Sequence, residues 1–369
     1  MRVLLAGGGT AGHVEPALAL ADALRADDPD VVVSALGTER GIETRLVPER
    51  GYALELIPAV PLPRKLHPRL LSVPARVGGA VRAVQRVIER TKPDVVVGFG
   101  GYVALPAYIA ARRMHVPIVV HEANARPGLA NRIGARLTAY VASGTPNCSL
   151  PHAVHIGIPL RTSIAHLDRA AERASAQREL GLAADLPTLL VFGGSQGARH
   201  LNDVTVQSAR TLNAAHVQVL HATGASHLHD VQSALPEFPE GVPYVAVPYL
   251  NRMDHAYAAA DLAICRAGAM TCAELAATGL PAVYVPLPHG NGEQALNAQA
   301  VVDAGGGLLI EDPRFSSDVV AADVVPLLQD SDRLQEMSIA ASRFGRRDAD
   351  RKLAEMVRHA AGHPDRAVS

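Results

Sequence analysis

A chain of 369 residues is long for one hydrophobic core, so two domains are expected. Hydrophobic residues make up 48% of it, yet no apolar run approaches the roughly 20 residues that a bilayer span requires. A formal net charge of −1 gives no electrostatic footprint for nucleic acid, and three scattered cysteines without a CxxC pair indicate a reducing compartment with neither metal nor disulfide.

The chain passes from Met1-Arg2 straight into an apolar run at residues 3–6, with no secretory signal expected. Residues 31–35, 95–99, 118–121 and 139–142 are further short apolar or β-branched runs, mostly separated by stretches with helical spacing. The pattern restarts after Gly157-Ile158-Pro159 with runs at 188–192, 217–221, 242–247, 262–264, 282–285 and 308–310. Alternation of this kind is the mark of α/β units with open parallel sheets covered on both faces. The reading is two Rossmann-like domains, 1–160 and 161–345, followed by a helical segment at 346–369.

Three glycine-rich turns follow strands: Gly7-Gly8-Gly9-Thr10-Ala11-Gly12-His13, Gly98-Phe99-Gly100-Gly101-Tyr102 and Gly193-Gly194-Ser195-Gln196-Gly197-Ala198-Arg199. None is a P-loop, and none is a GxGxxG turn with a well-placed acidic partner, so a dinucleotide is disfavoured. Three such loops spread over two halves fit a ligand cleft between domains. A fourth strand–turn–helix begins at residues 262–264, continues through Arg266-Ala267-Gly268-Ala269, and runs helically from 270 to 278 before Gly279-Leu280-Pro281 stops it. The amides that open such a helix suit a phosphate. Glu274, one turn in, suits the paired hydroxyls of a ribose.

His13 follows the first loop, ahead of a helix expected to open at Pro16, and its imidazole is a candidate proton acceptor for a hydroxyl nucleophile. The plainer reading is a helix cap or a phosphate hydrogen bond. Glu122 is the alternative base, unless it only steadies its own loop. His289 and Asn291 read as loop hydrogen-bonders. The pairs Asp28/Asp30 and Asp348/Asp350 have metal-binding spacing but read as solvated surface, so no metal or other cofactor is expected. Residues 61–92 carry eight Lys and Arg, among them Arg64, Lys65 and Arg69, against the single acid Glu89, with leucines interleaved. That stretch suits an anionic membrane surface.

The series GGGTAGHVEPALALA, GFGGYVALPA, HEANARPGLANR, GIPLR, FGGSQGAR and CRAGAMTCAELAATGLPAVYVPLPHGNGEQALNA resembles the MurG family along nearly the whole chain. The resemblance implies a GT-B glycosyltransferase on the cytoplasmic face of the membrane. Its donor would be UDP-N-acetylglucosamine, held mainly by the second domain, and its acceptor an undecaprenyl-pyrophosphoryl-N-acetylmuramoyl-pentapeptide, handled mainly by the first. It further implies Thr10, Ala11, Gly12 and Asn124 at the donor sugar, Arg161 and Ser195 at nucleotide and phosphates, and Leu250 at the uracil. Ala269, Met270, Thr271, Cys272, Ala273 and Glu274 would hold phosphate and ribose, and Gln294 the sugar. Two departures stand out: Ala11 replaces a common glycine, and Glu293 a common glutamine. The rival readings are a UDP-N-acetylglucosamine 2-epimerase and a non-catalytic nucleotide-sugar sensor.

Overall fold

The apolar runs become parallel strands, the interior ones buried on both faces and those at 242–247 and 308–310 only partly buried at the sheet edges. The computed structural model describes residues 1–59, 73–194, 197–238, 241–288 and 292–363. The chain divides into two units, Met1–Arg161 with Arg347–Ser369, and Thr162–Arg346.

The first sheet contains β1 (Arg2–Gly7), β2 (Val32–Gly37), β3 (Ala53–Leu56), β4 (Val95–Gly100), β5 (Ile118–Glu122), β6 (Tyr140–Ser143) and β7 (Ala153–His155). Their order is β3-β2-β1-β4-β5-β6-β7, all parallel. Alternate residues feed opposite cores. Val3, Leu5, Val95 and Val97 pack with the helix Ala11–Asp27, while Leu4, Ala6 and Val96 pack with the helices Val73–Thr91 and Ala104–Arg113. A fully buried Val or Leu contributes roughly 1.5–3 kcal/mol.

The second sheet contains β8 (Thr188–Phe192), β9 (Gln218–Ala222), β10 (Tyr244–Val247), β11 (Leu262–Cys265), β12 (Ala282–Tyr284) and β13 (Gly307–Leu309). It is also wholly parallel, in the order β10-β9-β8-β11-β12-β13. Both orders are doubly wound, and the direction of winding reverses between β1 and β4 and again between β8 and β11. Ligands of such sheets bind beyond the carboxyl ends of the strands at these reversals.

Three elements depart from the sequence expectation. Strands β3 and β7 were not anticipated. Both are edge strands, partly exposed along their length, and Ala53-Leu54-Glu55-Leu56 and Ala153-Val154-His155 carry no continuous apolar run. The first helix opens at Ala11, not at Pro16, which lies inside it and forgoes one intrahelical bond. The closing helix, Ala349–Ala360, packs on the first unit. Leu353, Ala354, Val357 and Ala360 join the core that holds Leu18 and Leu24, and Arg358 pairs with Asp27 at 2.8 Å.

Candidate active site

In the first unit the loops after β1 and β4 meet at the reversal of the sheet. Gly101 has φ +78°, and a Cβ there would overlap the Gly8 carbonyl oxygen, so only glycine allows these loops to touch. Thr10 caps the helix Ala11–Asp27 from an extended backbone, and Ala11 and Gly12 form its first residues. His13 follows within the first turn. Its Nδ1 lies 3.1 Å from Thr10 Oγ1 and 3.3 Å from the Gly8 carbonyl oxygen. A carbonyl only accepts, so the second contact places the proton on Nδ1 and the lone pair of a neutral ring on Nε2. A Cβ at Gly100 would stand 3.1 Å from that Nε2, so glycine there leaves room beside it.

Glu122 ends β5 and is buried, with four N–H donors on its two oxygens. Oε1 accepts from the Asn124 amide at 2.9 Å and from Asn124 Nδ2 at 3.3 Å. Oε2 accepts from the Gly128 amide at 3.0 Å and from Asn131 Nδ2 at 2.9 Å. These bonds steady the loop that follows β5 and fix Asn124. Asn131 is itself held by the Tyr108 hydroxyl at 2.7 Å. Next to Glu122, buried His121 donates from Nε2 to the Gly157 carbonyl at 3.0 Å. Burial pulls its pKa down to about 4, so the ring is neutral.

Arg161, expected at phosphates, grips Glu15 with both arms of its guanidinium, at 2.9 and 2.7 Å. Arg50 contacts the same carboxylate at 3.3 Å and also pairs with Asp22. Arg161 is thus oriented by a carboxylate on the helix that carries His13.

In the second unit the turn after β11 is fastened from two sides. Arg266 donates to the Val285 and Pro286 carbonyls at 3.1 and 3.2 Å and pairs with Asp312, and Asn297 reaches the Ala267 carbonyl at 3.3 Å. The helix Ala269–Thr278 starts from Gly268, and its first internal bond runs from the Cys272 amide to the Gly268 carbonyl at 2.9 Å. The amides of Ala269, Met270 and Thr271 precede that bond, at the positive end of the helix dipole. Ala273 is half-buried. The Cys272 thiol is buried, and burial pushes its pKa up to about 12, so it is not a nucleophile. Gly279 closes the helix in the left-handed conformation.

Glu274 is 9% exposed and accepts from the Tyr257 hydroxyl at 2.7 Å. Tyr257 is in turn anchored through its carbonyl by Arg169, which also caps Ala260 and Gly279. Leu250 is buried just ahead of the helix Met253–Ala259. Gln294 lies in the first turn of the helix Glu293–Asp303, and its Oε1 accepts from the Leu287 amide at 2.9 Å. Ser195, His289, Asn291 and the basic trio Arg64, Lys65 and Arg69 lie outside the described residues. Among the described residues, no cluster of three or more His, Cys, Asp or Glu is placed to hold a metal ion. Asp28 and Asp30 flank the turn into β2, and Asp348 pairs with Lys352 at 2.8 Å.

Known proteins match both units. The N-terminal domain of glycosyltransferase family 28 matches residues 3–143, and its C-terminal domain residues 188–353. The UDP-N-acetylglucosamine--N-acetylmuramyl-(pentapeptide) pyrophosphoryl-undecaprenol N-acetylglucosamine transferase of Streptomyces avermitilis is 63% identical over 357 residues, covering 97% of this chain and 98% of that protein. The crystal structure of MurG from Acinetobacter baumannii superimposes with a TM-score of 0.77 at 30% identity, covering 97% of this chain and 99% of that one. The chain belongs to the MurG family.

As in other members of that family, the two parallel-sheet units constitute a GT-B fold. A UDP-N-acetylglucosamine 2-epimerase from Neisseria meningitidis is similar at a TM-score of 0.67 and 13% identity, over 96% of this chain and 99% of that one; this is likeness of fold alone. Sequence reasoning missed several residues that hold the MurG-like motifs in place: Asn131, Tyr257, Asn297 and Glu43. Asn131 stood inside the quoted HEANARPGLANR motif. Asn297 likewise stood inside the quoted motif that begins at Cys265, while Tyr257 and Glu43 lie 17 and 34 residues from Glu274 and Gly9, and nothing local signalled those contacts.

Proposed function

We propose that this protein transfers N-acetylglucosamine from UDP-N-acetylglucosamine to undecaprenyl-pyrophosphoryl-N-acetylmuramoyl-pentapeptide, a step of peptidoglycan synthesis, with inversion at the anomeric carbon. The observation that carries this reading is 63% identity to a curated transferase of that activity, sustained over 97% of the chain. The location of the glycine loops and of Glu274 at the reversals of the two sheets supports it.

In the reaction the acceptor hydroxyl oxygen bonds to the anomeric carbon while the bond from that carbon to the β-phosphate oxygen breaks. UDP leaves with the electron pair, and the hydroxyl proton passes to a base. His13 is that base, in the tautomer set by the Gly8 carbonyl, with Nε2 as the accepting atom. Glu122 serves instead to hold Asn124, which contacts the donor sugar. The second unit takes the nucleotide. Glu274 accepts from the ribose hydroxyls, Leu250 adjoins the uracil, and Ser195 with the amides of 269–271 holds the diphosphate. A helix N-terminus contributes roughly 0.3–2 kcal/mol to an anion, and each hydrogen bond to a charged group roughly 1.5–3 kcal/mol. These suffice for a diphosphate without a metal.

No helix among the described residues is long and apolar enough to cross a membrane. Peripheral attachment to the anionic cytoplasmic face rests on the basic stretch. Within the described residues that stretch contributes the helix Val73–Thr91, where Arg82, Arg86 and Arg90 stand at i, i+4 spacing and are exposed while Val84, Val87 and Ile88 are buried. The test of the reading is UDP release from UDP-N-acetylglucosamine with and without the lipid-linked acceptor. Acceptor-dependent release is expected, and His13→Ala should lower kcat and kcat/KM together by 10²–10⁴-fold with UDP affinity retained. Epimerisation without acceptor, or UDP binding with no turnover, would overturn it.

A further inference from the structure

Among the residues assigned no part in the reaction, Glu43 is the most deeply committed. It sits at the start of the helix Glu43–Glu49 with no exposed surface. Oε1 accepts from the Thr38 amide at 2.8 Å and from Thr38 Oγ1 at 3.0 Å. Oε2 accepts from the Gly9 amide at 3.0 Å, 34 residues away in sequence. Three glycines make the space. A Cβ at Gly41 would overlap the carboxylate itself, one at Gly37 would stand 2.5 Å from Glu43 Cγ, and one at Gly8 would stand 3.1 Å from Oε1.

A buried carboxylate is costly unless its oxygens are satisfied. Here the Gly9 amide is one of the three donors that satisfy it, so charge and loop conformation are tied together. Gly8 supplies the carbonyl that sets the His13 tautomer, and Thr10, the next residue after Gly9, caps the His13 helix. The Gly9 amide also points at Glu43 rather than outward, which removes it from the set of amides that could cradle a phosphate. We infer that Glu43 is a positioning residue for the transferase reaction, fixing the loop Gly7–Thr10 so that the Gly8 carbonyl and Thr10 hold His13 in its working orientation and tautomer. The inference rests on the reading of His13 as the base.

The discriminating variant is Glu43→Gln in the full chain. A glutamine oxygen can keep both Thr38 bonds, but its NH₂ then confronts the Gly9 N–H, donor against donor. The expected result is a fall in kcat of roughly 10- to 100-fold, the scale of a misplaced catalytic group, with UDP affinity within twofold of wild type. Thr38→Val removes one donor from the same carboxylate while sparing the Gly9 bond, and kcat should stay near wild type even if the melting temperature falls. If Glu43→Gln does not accumulate as folded protein, Gly41→Ala displaces the carboxylate from the other side and should give the same kcat loss.

Combination with His13→Ala separates the two claims. If Glu43 acts through His13, the double variant Glu43→Gln/His13→Ala turns over no more slowly than His13→Ala alone. Multiplying losses, or Glu43→Gln at wild-type kcat while His13→Ala is impaired, would overturn the role of Glu43. Wild-type kcat in His13→Ala would instead overturn the reading of the base.

Discussion

Glu274 offers the sharpest test of the nucleotide site. Its carboxylate is 9% exposed and held by the Tyr257 hydroxyl at 2.7 Å. A carboxylate has about four acceptor positions, and the phenol occupies one of them. If ribose hydroxyls use others, Glu274→Ala removes charged hydrogen bonds worth roughly 1.5–3 kcal/mol each. At about 1.4 kcal/mol per tenfold, the Kd for UDP should rise at least roughly 10-fold and on the order of 100-fold if both hydroxyls are bound. Tyr257→Phe leaves the charge in place and removes its orientation, so UDP affinity should fall by less, roughly 3- to 10-fold. Isothermal titration with UDP and with its 2′,3′-dideoxy analogue reads both effects. Wild type should prefer UDP, whereas Glu274→Ala should bind the two alike. The double variant Tyr257→Phe/Glu274→Ala should bind UDP no more weakly than Glu274→Ala alone, since the phenol acts through the carboxylate. A Glu274→Ala protein that still prefers UDP over the dideoxy analogue as strongly as wild type would refute the assignment.

Acid should weaken both units. Burial lowers the pKa of His121 and of His221 from 6.5 to about 4, so the unfolded chain takes up their protons first as pH falls. Their stability contribution is complete above pH 6.5 and is lost between 6.5 and about 4, roughly 3 kcal/mol for each. Urea unfolding at pH 7 and pH 4 measures this, and His221→Gln should flatten the slope in the second unit; equal slopes would count against it. Arg169→Ala strips the Tyr257, Ala260 and Gly279 carbonyls of their cap, at 2.9, 2.5 and 3.0 Å, and should cost the second unit about 3 kcal/mol or more, read by the same unfolding assay. A loss under about 1 kcal/mol would mean that water replaces the guanidinium there. Neutralising Arg64, Lys65 and Arg69 together should weaken attachment to anionic vesicles by roughly 100-fold, at about 1 kcal/mol per cation, and raise KM for the lipid acceptor. Equal impairment on a short, water-soluble acceptor would assign these residues to the fold or the sugar site.

The amino-acid sequence alone determined the interior of both sheets. Runs such as Val95-Val96-Val97 and Leu189-Leu190-Val191 are short, β-branched or aliphatic on consecutive residues and bounded by turns, which suits a strand buried on both faces. It also determined the loops, because a left-handed or closely packed turn needs glycine at fixed positions, as at Gly101 and Gly279. The short helix from Ala269 was legible for the same reason: strand, small-residue turn and stop signal all lie within one local stretch.

Tertiary structure alone decided what lay far apart or at an edge. β3 and β7 are exposed on one margin, so selection for burial leaves no pattern in Ala53-Leu54-Glu55-Leu56 or Ala153-Val154-His155. The helix Ala349–Ala360 shows an amphipathic period, but no period states which sheet its apolar face covers; Leu353 and Val357 cover the first. Nor does spacing reveal that Glu122 is enclosed by four N–H donors or that Arg161 meets Glu15, 146 residues away. Glu43 makes the distinction plainest. Read along the chain it is one acid among many in a polar turn. Its burial, and its hold on the Gly9 amide, exist only once β1 and β2 lie side by side.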